Sequence, residues 1–414
     1  MGHFFKRFGF SKASILSGIF LALILCSWYS IRSIRNEMAV QNVDSLPWLL
    51  MAAAIVMFLM NPIYSWVASR SNLKKILTMS YSFFILNIIA LIGIFEFDLL
   101  SNENFSKMFY VWANIYSFFT VSIFWVVIIN IFKHESNNYY GIISAGGSIG
   151  AFAGATATRY FAESFNENGI LLFGLFAISM LIIATFLGLR IIDEFNKDNQ
   201  NTNKTGGGSF DSVKNIFLDN QIRNIAIFMH LWPALMTVHW ITSIGIIDDW
   251  TSDSSTRINF FGLIDQIQIP LTLIIQLFLF NFFLKSFGAK NILISYGFIF
   301  VIVYIGYFFF PSIIFVAIAT IMLRVFEYGI SKPTREVVFS KLNQNNRTKS
   351  TVMVETFVAR AGDLSGSGFI AGMKYLALSS TVAPIFAIPI AGVLSFLGYK
   401  ICLLYTSPSP RDNR

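Results

Sequence analysis

Twelve times over, the chain presents an apolar run about as long as a bilayer is thick. The runs cover Ala13–Ile31, Leu46–Val67, Ile76–Phe95, Met108–Phe132, a fifth stretch from Tyr139, and Ile170–Ile192. After a polar interval come Ile225–Ile247, Phe260–Leu284, Ile292–Phe310, Ile313 to about Ser331, Val352–Leu378, and Thr381 to about Leu404. A span of roughly 20 residues crosses the hydrocarbon core as a helix, the only open-ended structure that satisfies its own backbone there. The composition agrees: 55% of residues are hydrophobic and 13% charged, about half the charge of a soluble domain. The expected fold is an all-α membrane protein of about twelve transmembrane helices.

Charge sets the orientation. The N-terminus, Arg70, Lys74, Lys75, Lys133, the central linker, Lys285, Lys290, Lys341, Arg347 and Lys349 fall on one side. Glu96, Asp98, Glu103, Glu163, Glu167, Asp248, Asp249 and Asp253 fall on the other. Loops that keep Lys and Arg face the cytoplasm, so both termini are expected there, in a multi-pass bacterial inner-membrane protein. The same rule accounts for the net charge of +8, which is not a sign of nucleic-acid binding.

Several chemistries are excluded. Cys26 and Cys402 belong to no CxxC or Cys/His cluster, and His3, His134, His230 and His239 show no HExxH spacing. There is no phosphate-binding GxxxxGK[ST] loop and no GxSxG elbow. No cofactor or metal is implied, and the chain does not read as an enzyme.

The polar interval DEFNKDNQNTNKTGGGS has the composition of a flexible linker and divides the chain. The expected organisation is a six-helix half over 1–192, a cytoplasmic linker over 193–224 whose FDSVKNIFLDN has the pattern of a surface helix, and a second six-helix half over 225–401. The last residues, 402–414, differ in style and read as a non-native tail. Glycines mark equivalent helices of the two halves: Gly146, Gly150 and Gly154 in the fifth, Gly362 and Gly366 in the eleventh. Small residues at this spacing let two helix backbones approach closely. Two six-helix halves are the plan of the major facilitator architecture.

Certain segments resemble the ATP/ADP-translocase-like nucleotide transporters, a family related to that architecture. They are YSIRSIRNE, YVWANIYSFFTVSIFWVVIINIF with GIISAGGSIGAFAG, FFGLIDQIQIPLTLIIQLFL, YGISKPTREVVFSKL and KSTVMVETFVARAGDLSGS, spread over about half the chain. The resemblance implies nucleotide transport by exchange or with a coupled ion. It points to the charges of the first, tenth and eleventh helices. The first helix departs from the exchangers' pattern, having two Arg and Asn36-Glu37 where they are Lys-rich.

Charged residues inside membrane helices are costly and normally face a partner or a wet cavity. Arg32 and Arg35, one turn apart, read either as paired guanidinium forks for an anion or as interfacial anchors at the outer end of the first helix. Arg324 and Glu327 read either as an ion pair or as part of an anion site. Arg335 and Glu336, beyond Lys332-Pro333, read as a cytoplasmic gate or cap. In the eleventh helix Arg360 and Asp363 share a face, and Glu355 is available for pairing or proton coupling. Asp265, Gln266, Gln268 and Gln276 form a polar stripe on the eighth. The sequence thus nominates Arg32, Arg35, Arg324, Arg360 and Asp265 for substrate, with Glu327, Glu355 and Asp363 for coupling or ion pairing.

The function expected is secondary active transport by alternating access, of a small anionic solute such as a nucleotide or organic anion. The alternatives are a carrier of a neutral or cationic small molecule on the same fold, and a non-transporting membrane scaffold.

Overall fold

The computed structural model describes residues 11–132, 139–195, 220–339, 354–379 and 381–406. The middle of the expected linker, the surface-helix pattern after it, the basic turn with Lys341, Arg347 and Lys349, and residues 407–414 lie outside the described residues. Every regular element within them is helical.

The helices α1 (Lys12–Val40), α2 (Leu46–Arg70), α3 (Leu73–Glu96), α4 (Asn102–Phe132), α5 (Tyr140–Ala162) and α6 (Leu171–Phe195) precede the linker. One short turn, Phe165–Asn168, separates the last two. After the linker comes α7 (Asn220–Trp250). Next, α8 begins as Ser254–Ile274, widens through Ile275–Leu279 and runs on to Gly288. There a φ of 70° breaks the helix, and α9 continues to Phe309. A side chain is strained at such a φ, which is why glycine stands at this turn. α10 comprises Ile313–Phe326, a wide turn at Glu327–Ser331 and a last stretch, Lys332–Phe339. α11 opens on a wide turn, Val354–Val358, and proceeds as Ala359–Tyr375. α12 is Ile388–Thr406, entered through the tight turn Ala383–Ala387.

Eight described segments are long and apolar enough to cross a membrane, one of them the 56-residue Ser254–Phe309 that Gly288 divides. The protein is an all-α, multi-pass membrane protein. Helix starts are read locally. Ser11 caps α1 through reciprocal bonds with Ser14, of 3.0 and 2.9 Å. Asn72 caps α3 and Ser312 caps α10. Asp253 caps α8, accepting from Thr256 N at 2.9 Å. The Thr256 hydroxyl, then Asn166, hold the Asp253 carboxyl down to about 2, so it stays ionised as a helix N-terminus favours.

The residues fall into two compact units. The first takes in the chain up to Asn42, Ile55–Thr202 and Thr251–Pro270; the second takes in Val43–Ala54, Asn203–Trp250 and Leu271 onward. Each unit uses the same pairings. In the first, α1 packs on α5 and α6, and α3 on α6; in the second, α7 packs on α11 and α12, and α9 on α12. Glycines permit the closest of these approaches. A Cβ at Gly146 or Gly150 would run into the α1 backbone at Gly18 or Ala22, and one at Gly154 would meet Cys26 and Tyr29. In the second unit a Cβ at Gly362 or Gly366 would strike the α7 carbonyls of His230 and Ala234. Around these seams lie wholly buried rings: Phe20, Tyr81, Tyr116 and Phe124 in the first unit, Tyr296, Phe300, Tyr304 and Tyr307 in the second.

Two expectations need correction here. α1 does not end near Ile31 but runs on to Val40, so Arg32 and Arg35 lie within it rather than at its outer end. Asn36 and Glu37 are both buried, Glu37 completely. Secondly, α10 does not stop with its apolar run near Ser331 but continues through Lys332-Pro333 to Phe339. Proline has no N–H to return to the preceding turn, and there Gln276 Nε2 of α8 donates to Tyr328 O at 2.8 Å.

Candidate functional site

In the first unit, Trp28, Arg32 and Arg35 recur at i, i+4 and i+7 on α1 and so form one stripe. Asp265 of α8 meets that stripe. Arg32 Nη1 donates to Asp265 Oδ1 at 3.0 Å, and Gln268 Nε2 donates to the same oxygen at 3.0 Å. Asp265 and Gln268 are buried, and the Arg32 side chain is only 11% exposed. The Arg32 guanidinium also lies 4.9 Å from the Tyr29 ring centre. Arg35 donates to Asn114 of α4 at 3.1 Å and to Asn36 through Nε and Nη2, at 3.2 and 2.6 Å. Its guanidinium lies 5.8 Å from Trp28 and 5.7 Å from Tyr110. Two fixed guanidinium forks, one carboxylate, three amides and three aromatic rings are thus gathered in one unit. Guanidinium groups suit this setting because they bond bidentately and stack on rings.

Half a turn beyond Arg35 lies a pair with no counterpart in the sequence reading. Glu37 Oε1 accepts from Arg257 Nη2 at 2.7 Å, Ser254 Oγ at 2.7 Å and Gln41 Nε2 at 3.2 Å. Arg257 Nη1 donates to Thr251 O at 3.1 Å. Glu37 and Arg257 tie the end of α1 to the start of α8. Nor did the sequence nominate Arg159, in the last turn of α5. It donates to Asn259 at 3.0 Å and Gln266 at 2.5 Å, and Gln266 in turn donates to Thr156 at 2.8 Å. An arginine on the acidic side of an apolar run was the signal available for it.

The polar residues of α8 therefore do not share one direction. Asp265 turns to Arg32 of α1 and holds Gln268, Gln266 turns to α5, and Gln276, within the wide turn, donates to Tyr328 O of α10 at 2.8 Å. Gln266 is already about 100° around the axis from Asp265, and Gln276 stands in the wide turn Ile275–Leu279, outside the regular register that Asp265 and Gln268 share.

The described residues of the second unit hold several polar groupings. Glu327 takes two bonds from Arg335, at 2.6 and 3.0 Å, and Arg335 Nη1 also reaches Ser331 Oγ at 2.9 Å. All three are buried, and the Arg335 guanidinium lies 5.2 Å from the Trp232 ring. This corrects two expectations. Arg335 is not a cap in the cytoplasmic turn, and Glu327 bonds to Arg335, where an ion pair with Arg324 had been one of the two readings. Arg324 itself is half-buried at the end of Ile313–Phe326.

Arg360 Nη1 donates to Asp363 Oδ2 at 3.1 Å, and Thr237 of α7 donates to Asp363 Oδ1 at 3.2 Å. This pair is the more open one, with 40% and 29% of its side chains exposed. Glu355 lies in the wide turn opening α11, and its side chain is outside the described residues. Finally, buried His239 bonds Tyr307 OH at 2.8 Å and Thr320 at 3.3 Å, and Tyr307 OH bonds Ser243 at 2.8 Å. His230 bonds Ser365 at 3.1 Å. No group of His, Cys, Asp and Glu among the described residues is arranged to hold a metal ion.

A model of the Major Facilitator Superfamily matches residues 13–362. No curated protein matches the sequence. Among solved structures, a point mutant of the nucleoside transporter NupG is similar with a TM-score of 0.69 at 12% identity, covering 94% of this chain and 100% of that one. Another structure of the nucleoside transporter NupG gives 0.66 at 14% identity, over 96% and 100%. A bacterial homologue of the human lysosomal transporter Spinster gives 0.61 at 14% identity, over 97% and 100%. At these identities the likeness is one of fold.

Proposed function

The chain belongs to the Major Facilitator Superfamily, and from that premise we propose that it is a secondary transporter of a small anionic solute, a nucleotide or an organic anion, held by Arg32 and Arg35. The observation that carries this reading is the α1 stripe. Two guanidinium groups lie one turn apart, and Arg32 pairs with the Asp265 carboxylate. A substrate phosphate or carboxylate takes the place of Asp265 on Arg32 and engages Arg35 at the same time. Trp28, Tyr29 and Tyr110 offer ring faces to a planar group of the substrate. Arg324 and Arg360 are the corresponding cations of the second unit, and Asp363, Glu327 and Glu355 the carboxylates available for coupling. The segments that resemble nucleotide transporters include those of α1, α8 and α10–α11, which carry these residues. The energy comes from exchange or an ion gradient, and the protein sits in a bacterial inner membrane with both termini in the cytoplasm.

One observation favours a second reading, a neutral polar solute such as a nucleoside. The contacts around Arg35 are amides and rings, Asn36, Asn114, Trp28 and Tyr110, and Asp265 already neutralises Arg32. The two readings separate in proteoliposomes loaded with protein and offered labelled nucleotides, organic anions and nucleosides. Anion uptake is expected, falling by about tenfold or more in Arg35→Gln, the loss of one charge-assisted contact. Nucleoside uptake that competes with no anion and survives Arg35→Gln overturns the anionic assignment.

A further inference from the structure

Arg159 of the first unit carries a charge that no carboxylate answers. It stands in the last turn of α5 and donates from Nε to Asn259 Oδ1 at 3.0 Å and from Nη1 to Gln266 Oε1 at 2.5 Å. Both acceptors are neutral amides, from the part of α8 that belongs to the same unit. Arg32, Arg257, Arg335 and Arg360 each pair with an Asp or Glu. Among the described residues Arg159 pairs with none, and its Nη2, with two N–H donors, is bonded to nothing. Glu163, one turn further along α5, is exposed and does not bond to it. A charge held against apolar membrane-spanning surface is costly and draws an anion.

The second observation is that this guanidinium is fixed in place. Long basic side chains at a membrane edge swing out to water. Arg159 instead reaches back along α5, because Gln266 Nε2 is tied to Thr156 Oγ1 at 2.8 Å, and Thr156 in turn donates to Phe152 O at 2.9 Å. Gly262 of α8 lies under the Arg159 stem, and a Cβ there would come within 2.7 Å of Arg159 Cγ. The surface around the group is apolar and open. On α5, Ile149, Phe152 and Tyr160 are 64, 41 and 80% exposed, and on α8, Leu263 and Ile267 are 37 and 42% exposed. Ile149, Phe152, Thr156 and Tyr160 recur every three or four residues and form one stripe. Tyrosine near a helix end is at home at headgroup level.

We propose that this flank of α5 and α8 seats one phospholipid, its phosphodiester on Arg159 Nη2 and its acyl chains along Ile149, Phe152, Leu263 and Ile267. Charge complementarity selects the occupant, which has to join an anion to long apolar chains. A free anion leaves the apolar stripes uncovered, and a lipid without phosphate leaves Arg159 unanswered. The inference does not depend on an anionic transport substrate. Arg159 is no part of the α1 stripe, so lipid retention and solute uptake can fail separately.

The test is native mass spectrometry of the full chain released from detergent micelles, with phosphatidylglycerol as probe and a galactosyl diacylglycerol as the phosphate-free comparator. One phosphatidylglycerol is expected to stay bound at an activation energy that strips the galactolipid. Arg159→Gln lowers the retained fraction by roughly tenfold, the size of a lost charge-assisted bond. Arg159→Lys, which keeps the charge, restores retention. Gly262→Leu, which displaces the Arg159 stem, lowers it with the charge intact. Melting temperatures keep folding apart from binding: Arg159→Gln melts with the unsubstituted protein in galactolipid and loses only the rise that phosphatidylglycerol adds. The proposal is overturned if the two lipids leave equally readily, if Arg159→Gln retains phosphatidylglycerol or keeps the full rise in melting temperature, or if inorganic phosphate displaces the lipid. It is also overturned if Arg190→Gln, at an exposed arginine of α6, removes the lipid as fully as Arg159→Gln does.

Discussion

Glu327 and Arg335 show how a single turn decides which side chains meet. They stand eight residues apart, which in a regular helix leaves them about 80° apart around the axis. The wide turn Glu327–Ser331 inserts one extra residue, removes about 100° and brings them to within about 20° of one another. Both side chains are then buried, 2% and 7% exposed, and doubly bonded. Such a pair is weak evidence for stability, because desolvation offsets attraction; breaking it from one side is what costs. Arg335→Met is therefore expected to destabilise by about 3–5 kcal/mol, leaving a buried carboxylate without its cation. The double variant Glu327→Leu/Arg335→Met is expected to recover most of that loss. Denaturation in detergent micelles measures both, and a double variant no better than the single one would contradict the account. Spacing alone favoured the nearer cation, Arg324, and a π-turn leaves no mark in composition, so the true partner of Glu327 was not legible. Arg360 and Asp363 lie in regular helix at i, i+3, and there the spacing sufficed.

At the scale of the element, α1 and α5 are the informative pair. The small-residue spacing in α5 was visible in the sequence, and the structure places that face against Gly18, Ala22 and Cys26. The length of α1 was not visible. Asn36 and Glu37 read as a polar exit from the membrane, yet both are buried, Glu37 against Arg257. A hydropathy run ends where polar residues begin, but a polar side chain stays buried in a helix where it has a partner, and the Glu37 carboxylate has one 220 residues away. The α1–α5 seam yields a prediction with an internal control. At Gly150 a Cβ would meet the backbone of Ala22, which cannot swing aside as a side chain would. Gly150→Val should destabilise by about 1–3 kcal/mol or more, as overpacking does. Gly141→Ala in the same helix meets nothing within 4 Å, and removing a helical glycine there should be neutral or slightly stabilising. Thermal unfolding of the two variants side by side reads the difference; equal melting temperatures would show that the helices separate without cost.

For the molecule as a whole, the repeated pairings of α1, α3, α5 and α6 and of α7, α9, α11 and α12 give two units built alike, each from its own helices and a borrowed piece of α2 or α8. In the first unit the loop charges sort by end. Lys12 bonds Glu194 and Lys74 bonds Asp193, so the starts of α1 and α3 share an end with the close of α6. Asn166 bonds Asp253, joining the turn before α6 to the start of α8 at the opposite end. The first end keeps lysines and the second is rich in Asp and Glu, so the positive-inside rule predicts the lysine end on the cytoplasmic side. Labelling tests this without reference to substrate. In a background lacking Cys26 and Cys402, Ser101→Cys, exposed in the acidic turn after α3, should react with a membrane-impermeant maleimide on intact cells. Ser71→Cys, in the turn before α3, should react only after the cells are opened. The reverse pattern would invert the whole assignment at once, because α3 alone separates the two positions and every later helix follows its direction.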